Sequence, residues 1–206
     1  MNLEVYAAFV VASVVLIVIP GPNVSLIVAN SVAHGARRAL MTVAGTSSAQ
    51  LIQMAVMAVG MTSLLHLVAA GFEWLRWAGV AYLVWLGIQR WRAEAAAGEG
   101  ETAQAVSARF LYWQGFLVAL ANPKTLFFFA AFFPQFIDPQ GPPASQLLLL
   151  SATFLTLATV LDGTYAIVGG RVRGLLGDAR RARLRNRLAG TFLIGAGLGL
   201  ALVRRA

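Results

Sequence analysis

A run of apolar residues from Val5 to Ala33 is interrupted near its middle by Ile19-Pro20-Gly21-Pro22-Asn23. A proline inside a helix removes a backbone donor and its ring clashes with the preceding turn, a cost of about 3 kcal/mol at each interior position. In lipid such a break survives only where it is buried in protein or faces a cavity. The run is therefore expected to form two half-helices that meet near the bilayer midplane. Gly21 can serve as N-cap and Pro22 as the first residue of the second half, which leaves free N–H groups and the positive end of a helix dipole at the break. Such a place suits an anion. The alternative is a proline kink that serves packing alone.

Composition supplies the membrane. Of the 206 residues, 59% are hydrophobic and 12% charged, with a mean hydropathy of +0.74; a soluble domain has about 45–50% apolar and about 25% charged residues. There is no cysteine, which excludes disulfides, thiol redox chemistry and cysteine metal sites. The net charge of +8 does not point to nucleic acid, because the arginines lie between apolar runs, where membrane topology accounts for them. The chain begins Met1-Asn2-Leu3-Glu4 without a basic stretch, and its first apolar run is too long for a cleaved signal, so that run is expected to stay in the mature protein.

A transmembrane helix needs about 20 mostly apolar residues, and six such spans are expected: Val5 to Ala33 (broken), Ala39 to Val68, Phe72 to Ile88, Phe110 to Phe133, Gln146 to Val168 and Leu188 to Val203. Arg37 and Arg38 follow the first span, Arg90, Arg92 and Arg109 flank the third loop, and seven arginines from Arg171 to Arg187 fill the fifth. Those twelve oppose Arg76, Arg204 and Arg205, so the three basic loops are expected in the cytoplasm and both termini outside. The fifth loop could also bind anionic lipid headgroups, although retention on the cytoplasmic side explains it without a further role. Residues 98–107, rich in Gly, Glu and Ala, read as a flexible cytoplasmic linker between a first repeat (1–97) and a second (108–206) of one transporter domain.

Three spans per half make the second half enter from the opposite side, the geometry of an inverted repeat. The second half also opens with a broken helix: in Ala121-Asn122-Pro123-Lys124, Asn122 suits an N-cap and Pro123 the first helical position. Proline breaks at corresponding places in two halves are a pointer to a transport site. The expected fold is thus an all-α integral membrane protein of six transmembrane helices, arranged as two inverted three-helix repeats with broken first helices.

Lys124 and Asp162 are the ionisable side chains placed well inside spans, where each costs roughly 2.5–3.5 kcal/mol to insert. Lys124 stands in the first turn of a half-helix, where the dipole disfavours a cation; it is expected to seek an anionic partner, either Asp162 or a substrate carboxylate. A structural ion pair between the two is the plain alternative. Burial favours a neutral Asp162 and a nearby lysine favours its carboxylate, leaving a proton occupancy that substrate can tip. Thr42, Thr46, Gln50 and Gln53 form one polar stripe on the second span, either lining a path or joining helices. Gly195 and Gly199 form a small-residue pair for close packing, within the chain or between copies in a homo-oligomer. His34 and His66 have no second ligand at metal-binding spacing. No metal, cofactor or nucleophilic triad is expected, and Trp74, Trp77, Trp85, Trp91 and Trp113 suit interfacial belts.

The first break, followed by His34-Gly35-Ala36-Arg37-Arg38 and by Gly45, resembles the opening of the LysE-type translocator family, in particular its homoserine/threonine exporter branch. Gly115-Phe116-Leu117-Val118 with Asn122-Pro123-Lys124, and then Phe132-Phe133-Pro134-Gln135-Phe136, resemble the family's second motif; Gly79, Tyr82, Leu83 and Gly87 resemble its third span. The likeness covers nearly the whole chain. It implies an inner-membrane exporter of amino acids or related small molecules, driven by proton antiport, and no enzyme. Carried over by motif are Pro20, Gly21, Pro22, Asn23, Asn122, Pro123 and Lys124 as substrate-binding positions; Gln50 and Gln53 join them from the polar stripe, and Asp162 enters through its buried charge as the proton-coupling group. Other classes are an exporter of another solute or a cation, a structural membrane subunit, and a membrane enzyme or electron carrier on a similar repeat; the missing cysteines and the lack of clustered histidines or carboxylates weigh against the last.

Overall fold

The computed structural model describes residues 2–59, 77–78, 80–89, 91–92, 106–138, 140–175, 187–188, 190–191, 193–195 and 198. Outside them fall the end of the second expected span and the start of the third, His66, most of the linker, the centre of the fifth loop, Gly199 and the C-terminus. Among the described residues every regular element is helical. The first helix, α1 (Leu3–Val18), is started by Asn2, whose side chain accepts from Glu4 N–H at 3.2 Å. It ends at the break, and α2 (Pro22–His34) continues with Gly21 as N-cap and Pro22 in its first turn, bent 52° from α1. Gly35, at a φ of 86°, closes α2 and turns the chain into α3 (Ala36–Val59). A left-handed backbone there explains the glycine.

The third span is represented by α4 (Val80–Gln89). Ser107 caps α5 (Ala108–Leu120), accepting from Phe110 N–H at 3.1 Å. After the second break, α6 (Pro123–Phe127) runs into a π-helical turn over Phe128–Phe132 and a 3₁₀ turn over Phe133–Phe136. The expected span to Phe133 is therefore two helical pieces with an irregular end. Phe9, Phe128, Phe129, Phe133 and Phe154 hold that end, with Phe129 and Phe154 edge to face at 4.9 Å and Phe9 and Phe133 at 5.3 Å. The last long helix, α7 (Pro143–Leu175), exceeds the span expected from Gln146 to Val168. By length and composition it can cross a bilayer alone, and α1 with α2 can do so as a bent pair.

Contacts fix the directions of these helices. Tyr6 meets Thr153 and Tyr165 meets Val18, so α1 runs parallel to α7. Ser47 meets Thr159, and Gly170 abuts Ala36, so α3 runs antiparallel to α7. Gly115 abuts Thr42 and Gln53 reaches Ala119, which sets α5 parallel to α3. As a result α1 and α5 approach the middle of the bundle from opposite ends. Arg37, Arg38, Arg109 and Arg171 gather at one end, and the start of α1 lies at the other.

Candidate functional site between the two helix breaks

Each break leaves backbone carbonyls at the end of a half-helix, and each is met by a side chain from elsewhere in the fold. Lys124 Nζ donates to Leu16 O and to Ile19 O, both at 2.6 Å, while Tyr165 Oη donates to Val18 O at 3.1 Å. On the other side Gln53 Nε2 donates to Ala119 O at 3.0 Å and to Leu120 O at 3.1 Å. Helix ends carry unpaired carbonyls and a partial negative charge. A lysine placed there is electrostatically satisfied. Of the two partners expected for Lys124, Asp162 makes no ion pair with it within 4 Å among the described residues, and the end of α1 takes an anion's part.

A small cavity of about 20 Å³ lies between the breaks, lined by Gly21, Asn23, Val24, Gln50, Asn122, Lys124, Thr125 and Asp162 with Leu16, Ile17 and Phe154. The stem of Lys124 crosses Gly21, whose missing Cβ would lie 3.4 Å from Lys124 Cδ and Nζ. Asn122 accepts from Lys124 N–H at 3.0 Å, the capping bond that asparagine is suited to make. Thr125 donates to Asn122 O at 3.1 Å.

Six of the residues singled out in the sequence thus meet at one cavity: Gly21, Asn23, Gln50, Asn122, Lys124 and Asp162. Pro20 is exposed, Pro22 turns to a second cavity, and Gln53 holds the end of α5. Pro123 stands in the first turn of α6. That second cavity, about 250 Å³, is lined by Pro22, Ala78, Tyr82, Leu83, Leu117, Val118 and Ala121, largely apolar groups. Of the polar stripe, Thr42 accepts from Asn30 Nδ2 at 3.0 Å, and Asn30 Nδ2 also donates to Gln114 Oε1 at 2.8 Å, joining α2, α3 and α5. Thr42 and Gln53 of the stripe join helices, and Gln50 lines the cavity. Thr125 and the capping role of Tyr165 were missed; only the three-residue step from Asp162 to Tyr165 on one helix face hinted at the latter.

The lining residues pair by constant separations. Across the breaks, 21 pairs with 122, 23 with 124 and 24 with 125, each 101 apart; across α3 and α7, 47 pairs with 159, 50 with 162 and 53 with 165, each 112 apart. The pairs share roles. Ser47 bonds Thr159 at 3.0 Å, Gln50 and Asp162 both line the cavity, and Gln53 and Tyr165 cap Ala119 and Val18, themselves 101 apart.

The model of the family described as LysE type translocator matches residues 14–204. The chain belongs to that family. It is 34% identical over 206 residues, the whole of both chains, to a homoserine/homoserine lactone efflux protein of Salmonella typhimurium. It is 26% identical over 202 residues to a leucine efflux protein of Klebsiella pneumoniae, covering 97% of this chain and 95% of the relative. An uncharacterized membrane protein of Vibrio cholerae is 29% identical over 204 residues, 99% of this chain and all of the relative. No solved structure matches. As a member of a translocator family the chain is a membrane protein that moves a small molecule, and its described regular elements are all helical.

Proposed function

We propose that this LysE type translocator is a secondary active exporter of amino acids or their derivatives across the bacterial cytoplasmic membrane, exchanging substrate for protons. The observation that carries the reading is the single cavity between two helix breaks, lined by paired residues from both halves of the chain. The relatives' names, homoserine, homoserine lactone and leucine efflux, supply the substrate class. Equal separations between residues of equal role support two inverted repeats, 1–97 and 108–206, and with them six spans. The arginines at one end of the bundle support a cytoplasmic location for that end and external termini.

In this mechanism the substrate carboxylate meets Lys124, Asn122 and the N-terminal end of α2, and Asp162 takes the proton. A cavity of about 20 Å³ is too small for a whole amino acid, so Lys124 moves off the carbonyls of α1 as substrate enters, and binding and loosening of the first break are one event. The alternation of access follows as one repeat moves against the other around a fixed site. The mostly apolar cavity behind Pro22 supports an uncharged side chain. The decisive experiment loads proteoliposomes with a labelled amino-acid panel and follows efflux with and without a pH gradient. Gradient-accelerated efflux of at least one amino acid is expected; a panel without any overturns the reading.

A further inference from the structure

The cavity between the breaks holds more hydrogen-bonding capacity than its own residues use. Asn23 Oδ1, Gln50 Oε1 and Asn122 Nδ2 are buried and unpartnered among the described residues. Their side chains are 6%, 3% and 1% exposed, and Asp162, at 3%, accepts no hydrogen bond from a described residue. A buried polar atom without a partner is costly, so three such atoms at one cavity, beside a buried carboxylate, mark a place completed by a bound group. At Asn122 and Lys124 the bonds already made sort donors from acceptors. Asn122 Oδ1 accepts from Lys124 N–H, which makes its Nδ2 a spare donor. Lys124 spends two of its three N–H bonds on Leu16 and Ile19 and keeps one. Asn23 and Gln50 make no side-chain hydrogen bond to a described residue, and as they stand their buried atoms at the cavity are the amide oxygens, beside the Asp162 carboxylate.

Three acceptors, one of them anionic, match the three N–H donors of an alkylammonium. A water donates only twice and brings no charge. The cavity of about 20 Å³ has room for the ammonium head alone, and the carboxylate needs the space that opens as Lys124 leaves α1. We infer that Asn23, Gln50 and Asp162 cradle the α-ammonium of the substrate. The inference rests on the amino-acid export proposed above and sharpens it. A protonated Asp162 no longer offers the charge that the ammonium needs, so proton and ammonium compete for one carboxylate, and with the empty carrier held back that competition couples the two fluxes. Lys124 is the other charged group at the cavity. Of the helices packed on α7, α1 brings Glu4 at its far end, α2 His34 at its last residue, and α3 Arg37 and Arg38 in its first turn, all at helix ends remote from the cavity.

The test uses the full chain in proteoliposomes, with L-leucine and L-homoserine as probes and 2-hydroxy-4-methylpentanoate and 2,4-dihydroxybutanoate as analogues in which hydroxyl replaces the amine. The analogues keep carboxylate and side chain. They are expected to compete at least about 100-fold more weakly, because they leave buried acceptors unmet. Gln50→Met keeps length and apolar volume while removing an acceptor. It is expected to raise the half-saturating amino-acid concentration by about tenfold, with the analogue's unchanged, in protein of native helicity and elution volume. Competition by the hydroxy acids within about threefold of their amino acids, equal weakening of both by Gln50→Met, or export that needs sodium and ignores the amine overturns the cradle. Export of no amino acid at all overturns instead the function on which it rests.

Discussion

The ammonium of Lys124 lies 2.6 Å from two backbone carbonyls at the end of α1, so a helix end meets its charge where a carboxylate was expected. Lys124→Ala and Asp162→Asn are each expected to abolish export in proteoliposomes, by at least about 100-fold, while the protein still inserts. Because the two form no ion pair, the double substitution is expected to stay inactive. A double variant that regains both stability and export would instead make them a structural pair. Asp162→Asn is also expected to remove acceleration by a pH gradient from any residual efflux. Tyr165→Phe deletes one bond to Val18 O, and its expected cost is about 0.6–1.7 kcal/mol, measured by reversible unfolding in detergent. An unchanged stability would remove Tyr165 from the capping scheme.

At the scale of elements, Gly45 and Gly115 set how closely α3 and α5 approach. A Cβ at Gly45 would land on the Tyr112 carbonyl oxygen, and one at Gly115 on that of Thr42. Gly45→Ala and Gly115→Ala are each expected to destabilise by about 1–3 kcal/mol, seen as a lower midpoint of thermal unfolding; wild-type midpoints would mean the two helices separate without cost. Both glycines were noticed in the sequence through a family likeness, whose physical ground is this crossing. The breaks were legible because proline and the capping residues act locally: Gly21, Pro22, Asn122 and Pro123 hold the positions their chemistry suggested. The partner of Lys124 was not, since a carbonyl at the end of a distant helix carries no residue-type signal. Nor was the π-helical turn from Phe128 to Phe132, because an unbroken apolar run looks alike whether it winds as an α or a π helix; Pro134 marks the 3₁₀ turn that follows.

For the whole molecule the proposed orientation, with the arginine-rich end in the cytoplasm, is easy to read in a chain without native cysteine. Single cysteines at Asn2, Gln140 and Ser107 are expected to react with an impermeant reagent on intact cells at the first two positions and not at the third. Reaction at Ser107 alone would invert the molecule. The bonds from Lys124 to α1 bear on efficiency as well as on structure. A carrier that rearranges while empty lets protons run down their gradient with nothing exported, a futile leak that any exchanger must suppress. In the proposed exchanger the resting cation is already satisfied by the protein's own carbonyls, so parting the first break with the site empty gives up those bonds with nothing to replace them, and the empty carrier is held in place.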